Sequence, residues 1–162
     1  MISYRHMAVA FIENNGKFLM QKRESHRMIA GGVYAPVGGH LKDGEYQNPV
    51  DGCIREVEEE TGIKADQLEK VKLKYMIMRQ KEQEIRVQYV YFMTSKSDSI
   101  TPNDEGTLHW IKQSELLELQ TSFTSHEVIK HYLTKTTYED PIYIGTVDGE
   151  PSMHFVKIND FE

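Results

Sequence analysis

Cross-linking is absent from this chain: Cys53 is the only cysteine in 162 residues, so no internal disulfide forms and a small secreted fold stapled by bridges is excluded. Positive charge is also scarce. Lys and Arg number 19 against 25 Asp and Glu, a formal net charge of -6, which argues against non-specific binding to a nucleic acid polymer, where a basic face is expected. Between Met1 and Phe11 only a short apolar stretch follows Arg5 and His6, too little for a signal peptide or a membrane span. A cytoplasmic location without a membrane partner is the expectation. No internal repeat, low-complexity tract or long linker interrupts the chain, and the Gly-rich loop ending in Lys-Ser or Lys-Thr that marks a P-loop nucleotidase is missing. At 39% hydrophobic and 27% charged, the composition fits a single domain over residues 1–162.

What is present is concentrated in residues 55–63, Arg-Glu-Val-Glu-Glu-Glu-Thr-Gly-Ile. Glu56, Glu59 and Glu60 stand at i, i+3 and i+4, so one helical face carries three carboxylates, and like charges at that spacing repel by a few tenths of a kcal/mol each. An acidic run is ordinarily a solvated helix face. An oxygen-loving cation removes the repulsion instead, and Mg²⁺ is usually held through a few carboxylates together with a substrate's phosphates. Gly38, Gly39 and Glu45 lie upstream, and Gly62 and Ile63 close the run. From average residue usage, Arg-Glu-apolar-x-Glu-Glu-x-Gly-apolar arises by chance in a chain of this length on the order of once in 10⁵ cases.

These residues resemble the Nudix box, G-x5-E-x7-R-E-U-x-E-E-x-G-U with U a bulky aliphatic. Gly39 and Glu45 match the first part, and Arg55, Glu56, Val57, Glu59, Glu60, Gly62 and Ile63 match the second; the spacer from Tyr46 to Ile54 holds nine residues where the pattern has seven. Asn48 and Pro49 make a good helix start, since Asn caps free backbone N–H groups and Pro suits the first helical position. A helix from Pro49 to about Thr61 follows, ended by Gly62, with Cys53, Ile54 and Val57 on its apolar side. The two extra residues then precede the helix and leave the carboxylate spacing intact. In that setting Cys53 reads as a packed thiol.

The resemblance implies an α+β fold, a Nudix-like α/β/α sandwich with a mixed β-sheet, covering roughly Ala8 to Leu133. Strands are expected over Met7–Ile12 and Lys17–Gln21, joined through Asn14, Asn15 and Gly16, and a glycine-rich extended stretch over Gly31–His40 should deliver the backbone to Gly38 and Gly39. Val71–Met78 and Ile85–Thr94 read as a strand pair, and Leu108–Ile111 as a shorter strand. Ser114–Leu119 suggests a short helix. A second helix begins near Thr124, which has capping-box spacing to Glu127. Ile142–Val147 and His154–Ile158 look like a terminal hairpin turning through Asp148 and Gly149.

The resemblance also implies a function. Nudix hydrolases direct a metal-activated water at a diphosphate joined to another group, often in a nucleoside diphosphate derivative. Mg²⁺, or alternatively Mn²⁺, is expected on Glu56, Glu59, Glu60 and the carbonyl of Gly38, with Arg55 and Glu45 orienting those carboxylates. The general base comes either from the box helix or from a later loop, where Glu105 is the candidate. Arg23, whose guanidinium presents a fork of donors, is the candidate for gripping phosphate. Tyr34, Tyr91, Trp110 and Phe123 are either base-stacking or core residues. No Asn stands in Thr121–Ser125, where some oxidised-guanine triphosphatases of the family carry one. The expected partner is a small phosphorylated molecule, a nucleotide by preference, and the chain acts as a monomer or homodimer. The rival readings are a nucleotide-binding sensor without turnover and an isopentenyl-diphosphate-isomerase-like enzyme, which would need a reactive cysteine.

Overall fold

Alternation along the first strand decides the layering. In β1 (Ser3–Asn14), Ala8, Ala10 and Ile12 point to one face and Val9 and Phe11 to the other, and all five are buried, as expected of a central strand covered on both sides. The computed structural model describes residues 1–23, 32–101, 104, 106–135, 140–147 and 152–158. Around β1 gather β2 (Lys17–Arg23), β3 (Tyr34–Ala35), β4 (Val37–His40), β5 (Leu68–Lys81), β6 (Glu84–Ser95), β7 (Gly106–Lys112), β8 (Tyr143–Val147) and β9 (Met153–Lys157). They form one nine-stranded mixed sheet in the order β3-β2-β1-β6-β5-β8-β9, with β4 also paired to β1 and β7 to β2. The β1–β6 and β5–β8 pairs are parallel and the others antiparallel.

One helix covers each face. On the first, α1 (Pro49–Thr61) lays Cys53 and Val57 on Ala8, Ala10 and Ile12. On the second, α2 (Phe123–Thr134) lays Val128 and Ile129 against the cluster of Val9, Phe11, Phe18 and Met20. This is the α/β/α sandwich with a mixed sheet expected from the sequence. Among the described residues no helix is long and apolar enough to cross a membrane.

Several details depart from the sequence reading. The paired strands extend beyond Val71–Met78 and Ile85–Thr94, because the two-residue turn at Gln83 lets the ladder run to Lys81 and Glu84. The short helix expected over Ser114–Leu119 is present one residue earlier, as a 3₁₀ helix over Gln113–Glu118, the tighter form that such short segments take. The cap of α2 is Ser122, whose hydroxyl accepts from the Ser125 N–H at 3.2 Å, so the capping-box reading of Thr124 and Glu127 is two residues late. Asn48 does occupy the cap position of α1, yet its side chain makes no cap bond. Its amide donates to the Asp51 carboxylate at 2.8 Å instead. Asp148 and Gly149 lie outside the described residues, but β8 and β9 do form an antiparallel pair at the sheet edge.

Candidate catalytic site

The burial of the three box glutamates follows from helix geometry. At 3.6 residues per turn, Glu60 projects about 20° from the Cys53 direction, Glu56 about 60° and Glu59 about 120°. Their exposure rises in that order: Glu60 is 8% exposed, the Glu56 side chain 14% and the Glu59 side chain 51%. The innermost carboxylate meets the sheet. Glu60 Oε2 accepts from the Gly38 N–H at 2.9 Å, which anchors α1 to β4.

Two adjacent glycines allow this approach for different reasons. Gly38 has φ +144, and a Cβ on it would lie 2.2 Å from the Ala8 carbonyl oxygen of the paired strand. Gly39 faces the helix, where a Cβ would meet Glu56 Oε2 at 2.7 Å. At the other end of α1, Gly62 takes φ +75 and donates its N–H to the Glu58 carbonyl at 2.9 Å, closing the helix with a left-handed residue as expected.

Arg55 organises the outer carboxylates. Its Nε and Nη2 donate to Glu45 Oε1 and Oε2 at 2.7 and 2.9 Å, a two-pronged pair, while Nη1 donates to Glu56 Oε1 at 2.7 Å and Glu59 Oε2 at 3.0 Å. Nη2 also reaches the His40 carbonyl at 3.1 Å. Glu45 is fixed in turn by the Lys42 backbone N–H at 2.7 Å, and it lies over Gly52, where a Cβ would approach its Oε2 to 2.8 Å. The Arg55 hydrogen bond, followed by that from Lys42, holds Glu45 down at about 2. Glu59 is also held below the usual carboxylate range, chiefly by its hydrogen bond from Lys42 and then by the charge of Arg55. The Arg55 guanidinium, bound first of all to Glu45, is pushed further above its ordinary value.

The structure therefore brings Gly38, Glu45, Arg55, Glu56, Glu59 and Glu60 into one cluster. Arg23 ends β2 opposite Gly106 and is exposed, on the same sheet but outside the hydrogen-bonded cluster. Glu105 lies outside the described residues. Sequence reasoning missed Lys42, whose ammonium stands 3.2 Å from Glu59 Oε1. Its signal was a cation inside the segment between Gly39 and Glu45. Of the aromatic candidates, Tyr91 is buried in the core on the α1 side, and Trp110 donates to the Asp98 carbonyl at 2.9 Å. Tyr34 is half-buried and lies beside Thr121, whose hydroxyl oxygen is buried with no hydrogen-bond partner.

Glu56, Glu59, Glu60 and the Gly38 backbone form an all-oxygen donor set suited to a hard divalent cation. Among the described residues no three acidic, His or Cys side chains are already gathered in metal-holding geometry, since the oxygens of Glu56 and Glu59 turn to Arg55. The donor chemistry fits, and Glu59, half exposed, has room to turn outward.

Comparisons with known proteins agree with this arrangement. The NUDIX domain family model matches residues 4–133. Among solved structures, the mutator MutT protein from Bacillus halodurans superposes with a TM-score of 0.73 at 22% identity, covering 93% of this chain and 97% of that one. A NUDIX hydrolase from Nitrosomonas europaea gives 0.71 at 16% identity, covering 91% and 80%, and a C. elegans Ap4A hydrolase gives 0.63 at 14%, covering 82% and 96%. No curated protein sequence gives a significant match.

Proposed function

Because the chain belongs to the Nudix family and is a hydrolase of phosphorus-containing anhydrides, we propose that it is a Mg²⁺-dependent pyrophosphohydrolase of nucleoside triphosphates or related nucleoside diphosphate derivatives. The observation that carries this reading is the graded trio of carboxylates: Glu60 tied to the Gly38 N–H, and Glu56 and Glu59 held by one guanidinium. Glu56, Glu59, Glu60 and the Gly38 carbonyl would hold the cation. Bound there, Mg²⁺ would neutralise phosphate oxygens and lower the pKa of a water.

The chain's own residues do the positioning. Glu45 fixes the plane of Arg55, and Arg55 aims Glu56 and Glu59 together. Glu59, the most exposed of the trio, lies where a substrate can reach it. Glu105 or a glutamate of α1 takes the proton from the attacking water, and Arg23 grips a phosphate. Tyr34, with the Lys22 ammonium 5.5 Å from its ring centre, and the unpartnered Thr121 hydroxyl are the groups proposed to meet the rest of the nucleotide. Isomerase chemistry is disfavoured. Cys53 is fully buried, and burial first, then the charge of Glu56, pushes its thiol up to about 12, far from a reactive thiolate. Retention of all the box carboxylates disfavours a sensor without turnover.

The test is a hydrolysis screen with Mg²⁺ over nucleotides, dinucleotide polyphosphates and sugar nucleotides, with products identified by mass spectrometry. Glu59→Gln and Glu60→Gln should each lose more than the roughly 10- to 100-fold typical of groups that merely support a metal ligand. Parent-like rates in both variants, or no turnover of any substrate, would overturn the assignment.

A further inference from the structure

The face of the sheet away from α1 carries a second charged site. Past the end of β1, two clefts of 340 and 290 Å³ run together through Lys74, Gln113 and Tyr132, near the lower end of the about 300–1,000 Å³ typical of small-molecule sites. Four lysines converge on them: Lys70, Lys72 and Lys74 from β5, and Lys135 after α2. The floor is aromatic, with Phe18, Phe92 and Tyr132.

The strand is bent out of its regular ladder at this place. Lys72 pairs with Phe92 and Tyr75 with Val90, so residues three apart share the α2 side, which an unbroken strand forbids. Two register shifts, between Glu69 and Lys72 and between Leu73 and Tyr75, produce this, and such bulges re-aim side chains. Lys70 also has φ +51. The other non-glycine residues with positive φ among those described, Asn15 and Glu82, sit at hairpin turns, whereas Lys70 holds that conformation within a strand.

Gathering ammonium groups costs energy unless an anion joins them. Lys74, with only 18% of its side chain exposed, is held below its ordinary value by burial and then by the charge of Lys72. The chain supplies one anion itself: the Asp140 carboxylate spans the pair, one oxygen on Lys72 and the other on Lys74. That leaves the lining with four lysines against Glu13 and Asp140, an excess of positive charge on a protein whose net charge is -6.

We propose that this groove binds the phosphate chain of a small ligand, one phosphate taking the position that the Asp140 carboxylate marks between Lys72 and Lys74 and the others meeting Lys70 and Lys135. The site is independent of the carboxylates on α1, which lie across the sheet. A nucleotide and an inorganic polyphosphate share this chemistry, and the aromatic floor distinguishes them.

Calorimetric titration of the full chain in EDTA, where metal-dependent binding at α1 is silent, tests it with ATP and with inorganic tripolyphosphate as probes. Both should bind. The double variant Lys70→Gln/Lys135→Gln should weaken both at least tenfold while hydrolysing like the parent and melting within a few degrees of it at neutral pH, the Lys135 ammonium being lost from the Tyr143 ring; Asp140→Asn should tighten both several-fold, and Glu59→Gln and Arg23→Gln should change neither. Tighter binding of ATP assigns the floor to a base, and equal affinities assign recognition to the phosphate chain alone. Absence of binding, or binding lost in Glu59→Gln or Arg23→Gln and kept in the lysine double variant, would overturn the proposal.

Discussion

The two charged regions of this molecule are near mirror images in sign but not in construction. On α1, carboxylates are gathered by one arginine, a planar fork that binds Glu45 through two nitrogens and spans Glu56 and Glu59 with a third. Across the sheet, lysines are gathered by one aspartate. The first cluster is tied to the backbone at Gly38 and His40, and the second hangs on flexible stems from a bulged strand. A group tied to backbone holds its geometry without a ligand, whereas lysine stems are ordered at an entropic cost that a bound ligand can offset.

Breaking the backbone anchor should have the largest effect. Gly38→Ala drives a methyl into the Ala8 carbonyl of the neighbouring strand at a φ that L side chains rarely adopt, and neither strand can yield cheaply. Loss of more than about 3 kcal/mol in urea unfolding, or failure to fold, is expected. Gly39→Ala meets only the movable end of Glu56. It should melt within a few degrees of the parent yet lose hydrolysis, because the displaced carboxylate leaves Arg55. Equal destabilisation by the two substitutions would remove the distinction between a backbone constraint and a side-chain one.

Arg55→Lys comes next. A lysine keeps the charge and loses the fork, so Glu45, Glu56 and Glu59 can no longer be held by one group. If α1 holds the metal as proposed, hydrolysis should fall roughly 10- to 100-fold, as it does when a group that orients a metal ligand is lost, with half-maximal rate shifted to higher Mg²⁺ concentration. A lysine variant as active as the parent would mean that charge alone organises α1, as in the groove.

Much of the α1 site was legible because helical spacing converts residue numbers directly into directions: Glu56, Glu59 and Glu60 needed only a helix, and Gly62 and Pro49 bounded it. The groove was not legible. Lys70 lies just before the strand expected over Val71–Met78 and Lys72 and Lys74 fall within it, and neither a bulge nor the return of Asp140 from beyond α2 leaves a sequence signal. The same limit explains the caps. Asn48 was placed correctly by its neighbour Pro49, but its amide turned to Asp51, a choice between two local partners that residue type does not decide.

Acid titration separates the two sides of the sheet. Glu45, lowered from 4.5 to about 2 first by its hydrogen bond from Arg55, contributes stability that is complete above pH 4.5 and lost as pH falls through about 2. On the α2 side, His131 stacks on Phe155 with ring centres 4.1 Å apart, packs edge-on against Tyr143 and hydrogen-bonds the Tyr75 hydroxyl at 2.9 Å. Burial, then the charge of Lys135, lowers it from 6.5 to about 4. Its contribution is complete above pH 6.5 and lost as pH falls through about 4. Urea midpoints measured across this range should show the higher-pH loss vanish in His131→Phe and persist in Arg55→Ala. The reverse pattern would exchange the assignments.

The smallest expected effect gives the finest comparison. Lys42 and Glu59 are paired at 3.2 Å with 61% and 51% of their side chains exposed, so the pair is worth at most about 1 kcal/mol, and Lys42→Ala should barely shift the melting temperature. Its effect on ligand binding should be larger than its effect on stability. A cation on Glu59 must displace the Lys42 ammonium, just as a phosphate between Lys72 and Lys74 must displace the Asp140 carboxylate. Lys42→Ala should therefore lower the Mg²⁺ concentration at half-maximal hydrolysis modestly, by roughly two- to five-fold if most of that 1 kcal/mol is recovered. An increase in that concentration would mean that Lys42 helps to hold the substrate rather than competing with the metal, and the likeness between the two built-in counter-ions would fail.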